Sequence, residues 1–193
     1  MSLALALFAG YVIGSIPTAN AISGLFGFDL RSEGSGTPGA NNARRLGGPR
    51  LFIAILAVEA AKGAAAVLAG DTIAGSPGMV AAGLGAATGN VFNVWYRFQG
   101  GKGLGITLGV LLLAWPLALP PVIVTIAAVA LITRSTGLAS IGALVMLLIL
   151  GLLWFPMAWS IGWGAESTSL PWMAIGLAVV LAPKHISDAS GAR

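Results

Sequence analysis

The residues of this chain best suited to chemistry lie in two glycine-rich runs. One is Gly34-Ser-Gly-Thr-Pro-Gly-Ala-Asn-Asn42, followed by Arg44 and Arg45; the other is Gly100-Gly-Lys-Gly103. Glycine lets successive backbone N–H groups converge on an anion without a side chain in the way, and Arg or Lys supplies the countercharge. Both runs read as anion cradles, which suits a phosphorylated substrate. The spelling G-x-G-x-x-G over 34–39 is not a dinucleotide fingerprint, because it follows an apolar helix and a polar stretch rather than the strand of a βαβ unit. Gly100–Gly103 lacks the upstream Gly and following Ser or Thr of a Walker A loop. Taken alone, each run is also compatible with simple turn chemistry.

The rest of the composition places these loops at a membrane. Of 193 residues, 57% are hydrophobic and only 8% charged, and the mean hydropathy is +0.92. This defines an all-α integral membrane protein, read as a single domain over 1–193. The net charge of +4 is spread over short loops without an aromatic stacking motif, so nucleic acid is not an expected partner. With no cysteine, disulfides, thiolate nucleophiles and Cys-ligated metals are excluded. One histidine and six scattered carboxylates offer no metal-ligand spacing, and no cofactor is expected. Ser35, His185 and Asp188 do not make a convincing triad, since no nucleophile elbow is present.

Apolar runs separated by polar punctuation predict spans near 3–24, 51–69, 75–95, 103–118, 120–133, 138–158 and 170–183. A single helix over 103–133 would be about 46 Å long against a hydrocarbon core of about 30 Å, and Pro116, Pro120 and Pro121 favour dividing it. Charge then selects seven transmembrane helices with short loops, the N-terminus outside and the C-terminus cytoplasmic. On that reading Arg31, Arg44, Arg45, Arg50, Arg97, Lys102, Arg134, Lys184 and Arg193 share the cytoplasmic side, whereas Asp71 and Glu166 lie opposite; six spans would misplace Arg134. Ala19-Asn-Ala21 mimics a signal-peptide cleavage site, but Met1-Ser2-Leu3 lacks a basic n-region. Trp154, Trp159, Trp163 and Trp172 read as an interfacial aromatic belt. Glu59 and Lys62, three apart inside a span, read as a structural ion pair.

The ordered set Gly14-Ser-Ile-Pro17, Asp29-Leu-Arg31, Gly34-Ser-Gly36, Gly39-Ala40, Asn42, Arg45, Glu59, Lys62-Gly63, Gly89, Phe98, Gly100-Gly-Lys-Gly103, Leu108-Gly109, Leu138-Ala-Ser-Ile141 and His185 resembles the bacterial acyl-phosphate glycerol-3-phosphate acyltransferases. The resemblance covers most of the chain. It implies an enzyme of the bacterial inner membrane that moves a fatty acyl group from acyl phosphate to the 1-hydroxyl of sn-glycerol 3-phosphate. The product, lysophosphatidate, begins phospholipid synthesis. The chain departs from the family pattern at Asn90, where His is usual, at Asn93 in place of Pro, at Gln99 in place of Lys, and at Asp188 in place of Asn.

Two phosphate-bearing substrates require two anion sites, and the matched residues divide between them. Arg45 would grip one phosphate bidentately, with Ser35 and the backbone around Gly34, Gly36 and Thr37 as further donors and Asn42 orienting the loop. Lys102, between Gly100, Gly101 and Gly103 at a helix start, would hold the other. Ser140 and His185 are additional candidate donors, and His185 is also a candidate base. Each residue has a plain structural alternative: a topology anchor for Arg45, a snorkelling lysine for Lys102, a packing hydroxyl for Ser140 and a solvated tail residue for His185. Because acyl phosphate is already an activated anhydride, direct transfer in a ternary complex is expected, without an acyl-enzyme. A small transporter, or an inactive acyltransferase-like subunit, remains the alternative at this point.

Overall fold

The computed structural model describes residues 2–157, 164–166 and 168–189, with side chains outside 155–157 and 188–189. Seven α-helices follow one another among these residues: α1 Ser2–Ser15, α2 Thr18–Leu25, α3 Ala40–Val91, α4 Leu104–Ala114, α5 Leu119–Thr133, α6 Thr136–Met157 and α7 Leu170–Ala189. Short 3-10 turns at Val94–Tyr96 and Pro116–Ala118 precede α4 and α5.

The expectation of seven transmembrane helices is corrected. Five helical stretches among the described residues are long and apolar enough to cross a bilayer: Ser2–Leu25, Ala40–Tyr96, Pro116–Thr133, Thr136–Trp154 and Leu170–Ser187. The polar punctuation near Gly70–Gly75, read as a break between spans, lies at a sharp kink where the stretch α3 divides into two helical arms through non-helical backbone at Ala74 and Gly75. A different local feature removes a crossing helix. The stretch read as 103–118 yields the 11 residues of α4, about 16 Å of helix, because Trp115 leaves helical geometry and Pro116 opens a new turn.

Small residues let the helices approach at backbone distance. At the bend in α3 the chain doubles back, so that Gly70 and Gly78 face one another's backbone. Gly10 and Gly14 of α1 lie against Ala82 and Ala86 of α3, while Gly85 and Gly89 answer against Leu7 and Tyr11. Gly109 of α4 rests on Ala60. In lipid, where tails are as apolar as side chains, such close packing is the main source of helix association. The principal core joins α3, α4, α6 and α7 through Val67, Val110, Leu111, Leu147, Met173 and Leu177. Leu131, Ile132, Val124 and Leu152 point outward, as a lipid-facing surface requires.

Trp154 does not belong to an interfacial belt. It is buried and meets Trp115 edge to face at 5.3 Å. Trp172 is exposed, and Trp159 and Trp163 lie outside the described residues.

The helix is interrupted at Ile16 and Pro17 between α1 and α2, leaving a helix end whose carbonyls need donors. Lys62 Nζ donates to the Ile16 and Gly14 carbonyls at 2.7 and 3.3 Å, and Asn93 Nδ2 donates to the Ser15 carbonyl at 2.7 Å. Glu59 compensates the lysine charge at 3.0 Å. The ion pair expected from the i, i+3 spacing is thus bound into a cap for α1.

Candidate functional site

The 34–39 loop is held onto the start of α3 by one side chain. Asn42, almost fully buried, accepts the Ser35 N–H at 2.8 Å and donates Nδ2 to the Leu30 and Glu33 carbonyls at 3.0 Å each. Gly34 and Gly36 adopt positive φ, at 61° and 66°, and a Cβ on Gly34 would strike Asn42 Oδ1. Asn20 Oδ1 accepts the Leu30 N–H at 2.9 Å, and a small core of Leu30, Ala43, Leu51 and Ile55 anchors the loop from below. At its outer edge the Arg31 N–H and Ser32 hydroxyl bind the Asp29 carboxylate and hold its pKa below the usual carboxylate value. Arg31 lies over the Tyr96 ring at 4.5 Å, tying this loop to the turn before the second glycine run.

The second run is stitched to the end of α3. The Gly100 and Gly101 N–H groups donate to the Val91 and Asn90 carbonyls at 2.9 and 3.0 Å. A Cβ on Gly101 would meet the Pro38 carbonyl oxygen at 2.8 Å, so the two glycine runs touch only because that side chain is absent. Gly103, at φ 79°, turns the chain into α4.

Ser35, Thr37, Asn42, Arg45, Lys102 and Gly103 line one cavity of about 530 Å³. The N-termini of α3 and α4 both open on it through Gly39, Ala40, Gly103 and Leu104, and neither carries a side-chain cap. Two helix dipoles and two cationic side chains therefore converge on one space, an arrangement suited to phosphate. From this mouth the cavity passes Glu59, Asn90 and Thr107 and continues between α4, α5 and α6 along Leu111, Val122, Ile126, Leu144 and Leu147.

Six of the residues selected from the sequence do not line the cavity: Gly34, Gly36, Gly100 and Gly101 lie in the loops around it, and Ser140 and His185 lie elsewhere. Ser140 Oγ donates back to the Thr136 carbonyl of its own helix at 2.8 Å and does not line the cavity. His185 is fully buried behind the loop, with Nε2 at 3.1 Å from the Lys102 carbonyl. Since a carbonyl only accepts, Nε2 carries the proton there, and His185 braces the Lys102 backbone. Gly100 and Gly101 shape the loop beneath the lysine. The sequence reading passed over Asn90, Thr107 and Lys184 as contributors to this region. Lys184 Nζ reaches the Gly100 carbonyl at 3.5 Å; its adjacency to His185 was the available signal.

Cationic side chains and helix N-termini at the mouth of a largely apolar cavity, in a multi-pass membrane protein, are chemically suited to an amphiphilic phosphate compound. Comparison with known proteins makes this specific. The glycerol-3-phosphate acyltransferase family profile matches residues 4–191, and the chain belongs to that family. The glycerol-3-phosphate acyltransferase of Bradyrhizobium diazoefficiens is 42% identical over 143 residues, covering 73% of this chain and 72% of the relative. That of Agrobacterium fabrum is 41% identical, covering 79% and 74%. Crystal structures of PlsY, an integral membrane glycerol 3-phosphate acyltransferase, match with a TM-score of 0.81 in both the glycerol 3-phosphate and the lysophosphatidic acid forms. They are 26% and 25% identical to this chain, covering 98% of it and 91% of the solved chain.

Proposed function

We propose that this protein transfers a fatty acyl group from acyl phosphate to the 1-hydroxyl of sn-glycerol 3-phosphate, releasing lysophosphatidate and inorganic phosphate. The observation that carries the reading is the single cavity in which Arg45 and Lys102, flanked by two helix N-termini, meet an apolar channel. Both substrates carry phosphate and one carries a fatty chain, so the cavity matches the pair. Arg45, Ser35 and the backbone around Gly34, Gly36 and Thr37 hold one phosphate; Lys102 and the start of α4 hold the other. Asn42 fixes the first cradle, and Gly100, Gly101 and Gly103 allow the second to approach it. The acyl chain occupies the channel past Leu111 and Leu147.

The transfer is direct. The glycerol oxygen forms a bond to the acyl carbon, the bond from that carbon to the phosphate oxygen breaks, and phosphate leaves with the electron pair. The hydroxyl proton passes to the acceptor's own phosphate and leaves from there to solvent, with His185 stabilising the Lys102 loop rather than accepting it. Proximity and electrostatic stabilisation of the carbonyl oxygen and leaving phosphate supply the acceleration. The basic end of the molecule, bearing Arg31, Arg45, Lys102 and Lys184, faces the cytoplasm of the bacterial inner membrane, as excess Lys and Arg favour.

Purified protein in lipid nanodiscs, given acyl phosphate and labelled glycerol 3-phosphate, forms labelled lysophosphatidate on this reading. Absence of product from monodisperse, thermally stable protein overturns it. Incubation with labelled acyl phosphate alone leaves no acyl group on denatured protein; stoichiometric label that chases into product overturns direct transfer. For orientation, Cys at 99 resists an impermeant thiol reagent in intact cells and Cys at 166 reacts. The opposite pattern places the cavity on the other face.

A further inference from the structure

Thr107 stands out within the cavity because its chemistry is unspent. The residue is 93% buried, being only 7% exposed, yet no group among the described residues hydrogen-bonds its Oγ1. A buried hydroxyl without a partner is costly, and Val would occupy the same volume without that cost. Glu59 and Asn90, which line the same cavity, are bonded to each other. Glu59 accepts from Thr18 at 2.7 Å, from Asn90 Nδ2 at 2.7 Å and from Lys62 at 3.0 Å, and a carboxylate has no proton to donate.

The position of Thr107 gives this hydroxyl a role. Its N–H bonds to the Gly103 carbonyl at 2.9 Å, placing it one helical turn, about 6 Å along the axis, inside the N-terminus of α4. Leu111 follows one turn deeper on the same face of α4 and begins the apolar channel. Thr107 therefore occupies the level where phosphate-binding groups give way to chain-binding ones. In an acyl phosphate, the group at that junction is the carbonyl.

We propose that the Thr107 hydroxyl donates a hydrogen bond to the carbonyl oxygen of the acyl donor and strengthens that bond as the oxygen gains charge during attack by glycerol 3-phosphate. This rests on the acyltransferase reading above and adds a substrate-contacting residue to it. The hydroxyl keeps its proton throughout. The bonds made and broken remain those to the acyl carbon, and the negative charge on the carbonyl oxygen returns as phosphate departs.

Thr107→Val, Thr107→Ala and Thr107→Ser separate hydroxyl from shape. The Val and Ala variants lower kcat by roughly 10- to 100-fold, with KM for glycerol 3-phosphate little changed, whereas Ser stays within about threefold. Thermal stability of the Val variant in detergent is no lower than that of the parent, since it removes an unpaired buried hydroxyl. A purely packing role predicts the reverse pattern. The second measurement uses a 2-oxoalkylphosphonate labelled with carbon-13 at its carbonyl, in which a methylene blocks transfer. Its bound carbonyl stretch moves to higher frequency in Thr107→Val and Thr107→Ala and stays low in Thr107→Ser. Near-parental kcat in both hydroxyl-free variants, an unchanged stretch, or a Ser variant as impaired as Val overturns the proposal. A parent that binds the phosphonate but transfers no acyl group defeats the acyltransferase reading instead, while the infrared comparison still decides the Thr107 contact.

Discussion

At the residue scale, the proposed roles of Arg45 and Lys102 make both cations phosphate partners, Arg45 as a bidentate donor and Lys102 as a point charge. Replacing either by Ala removes charge-assisted hydrogen bonds to phosphate worth about 1.5–3 kcal/mol. The expected loss is therefore roughly 10- to 150-fold in kcat/KM, measured on folded protein with both substrates varied. Asn42→Asp is a sharper test of the first cradle. Aspartate retains an acceptor for the Ser35 N–H but opposes two carbonyl oxygens where Asn42 now donates. Activity should fall with a rise in KM for a phosphate substrate, and melting temperature should fall with it, because the buried Leu30 carbonyl loses its donor at about 1–3 kcal/mol and the part-buried Glu33 carbonyl loses a smaller amount. Parental kinetics in this variant would show that the loop does not depend on Asn42.

At the scale of elements, Lys62 connects three helices: it closes the end of α1, pairs with Glu59 on α3, and sits under the break that leads into α2. Lys62→Met leaves two buried carbonyls without their donor and the Glu59 carboxylate without its countercharge. Breaking such a pair costs about 3–5 kcal/mol, so the variant should melt well below the parent in detergent. Adding Glu59→Gln should recover part of the difference, because the unbalanced charge then disappears. No recovery in the double variant would assign the whole effect to the α1 carbonyls.

Across the whole molecule, stability and specificity depend on how closely helices approach and on the gap they leave. Gly10→Leu would force α1 away from the Ala82 backbone, and the expected outcome is loss of the monodisperse peak by fluorescence-detected size exclusion. The cavity between α4, α5 and α6 is the complementary case. Leu111→Phe adds volume where the channel runs past Leu144 and Leu147, so turnover of long acyl phosphates should fall relative to short ones in competition assays. An unchanged length profile would place the chain elsewhere.

Composition and local pattern alone determined the membrane setting, the all-helical class, the two anion-binding runs and the Glu59–Lys62 pair. Each depends on neighbours in sequence: apolar content, glycine beside a basic residue, or i, i+3 spacing. The number of crossing helices was not legible, since Trp115 and Pro116 end α4 after 11 residues, too few to cross, inside what reads as one longer apolar run. Nor was the burial of Trp154, which follows from its meeting Trp115 39 positions earlier in the chain. The site itself was half visible. Arg45 and Lys102 were marked by their glycines, but their convergence on one cavity requires residues 34–45 and 100–107 to meet across α3. Ser140 and His185 carry suitable chemistry yet face their own helix and the back of the Lys102 loop. Thr107 looked like one more residue of an apolar helix until the tertiary structure showed its buried, unpartnered hydroxyl on a residue of the cavity wall. A hydroxyl's value depends on what stands opposite it, and only the packing of distant segments supplies that.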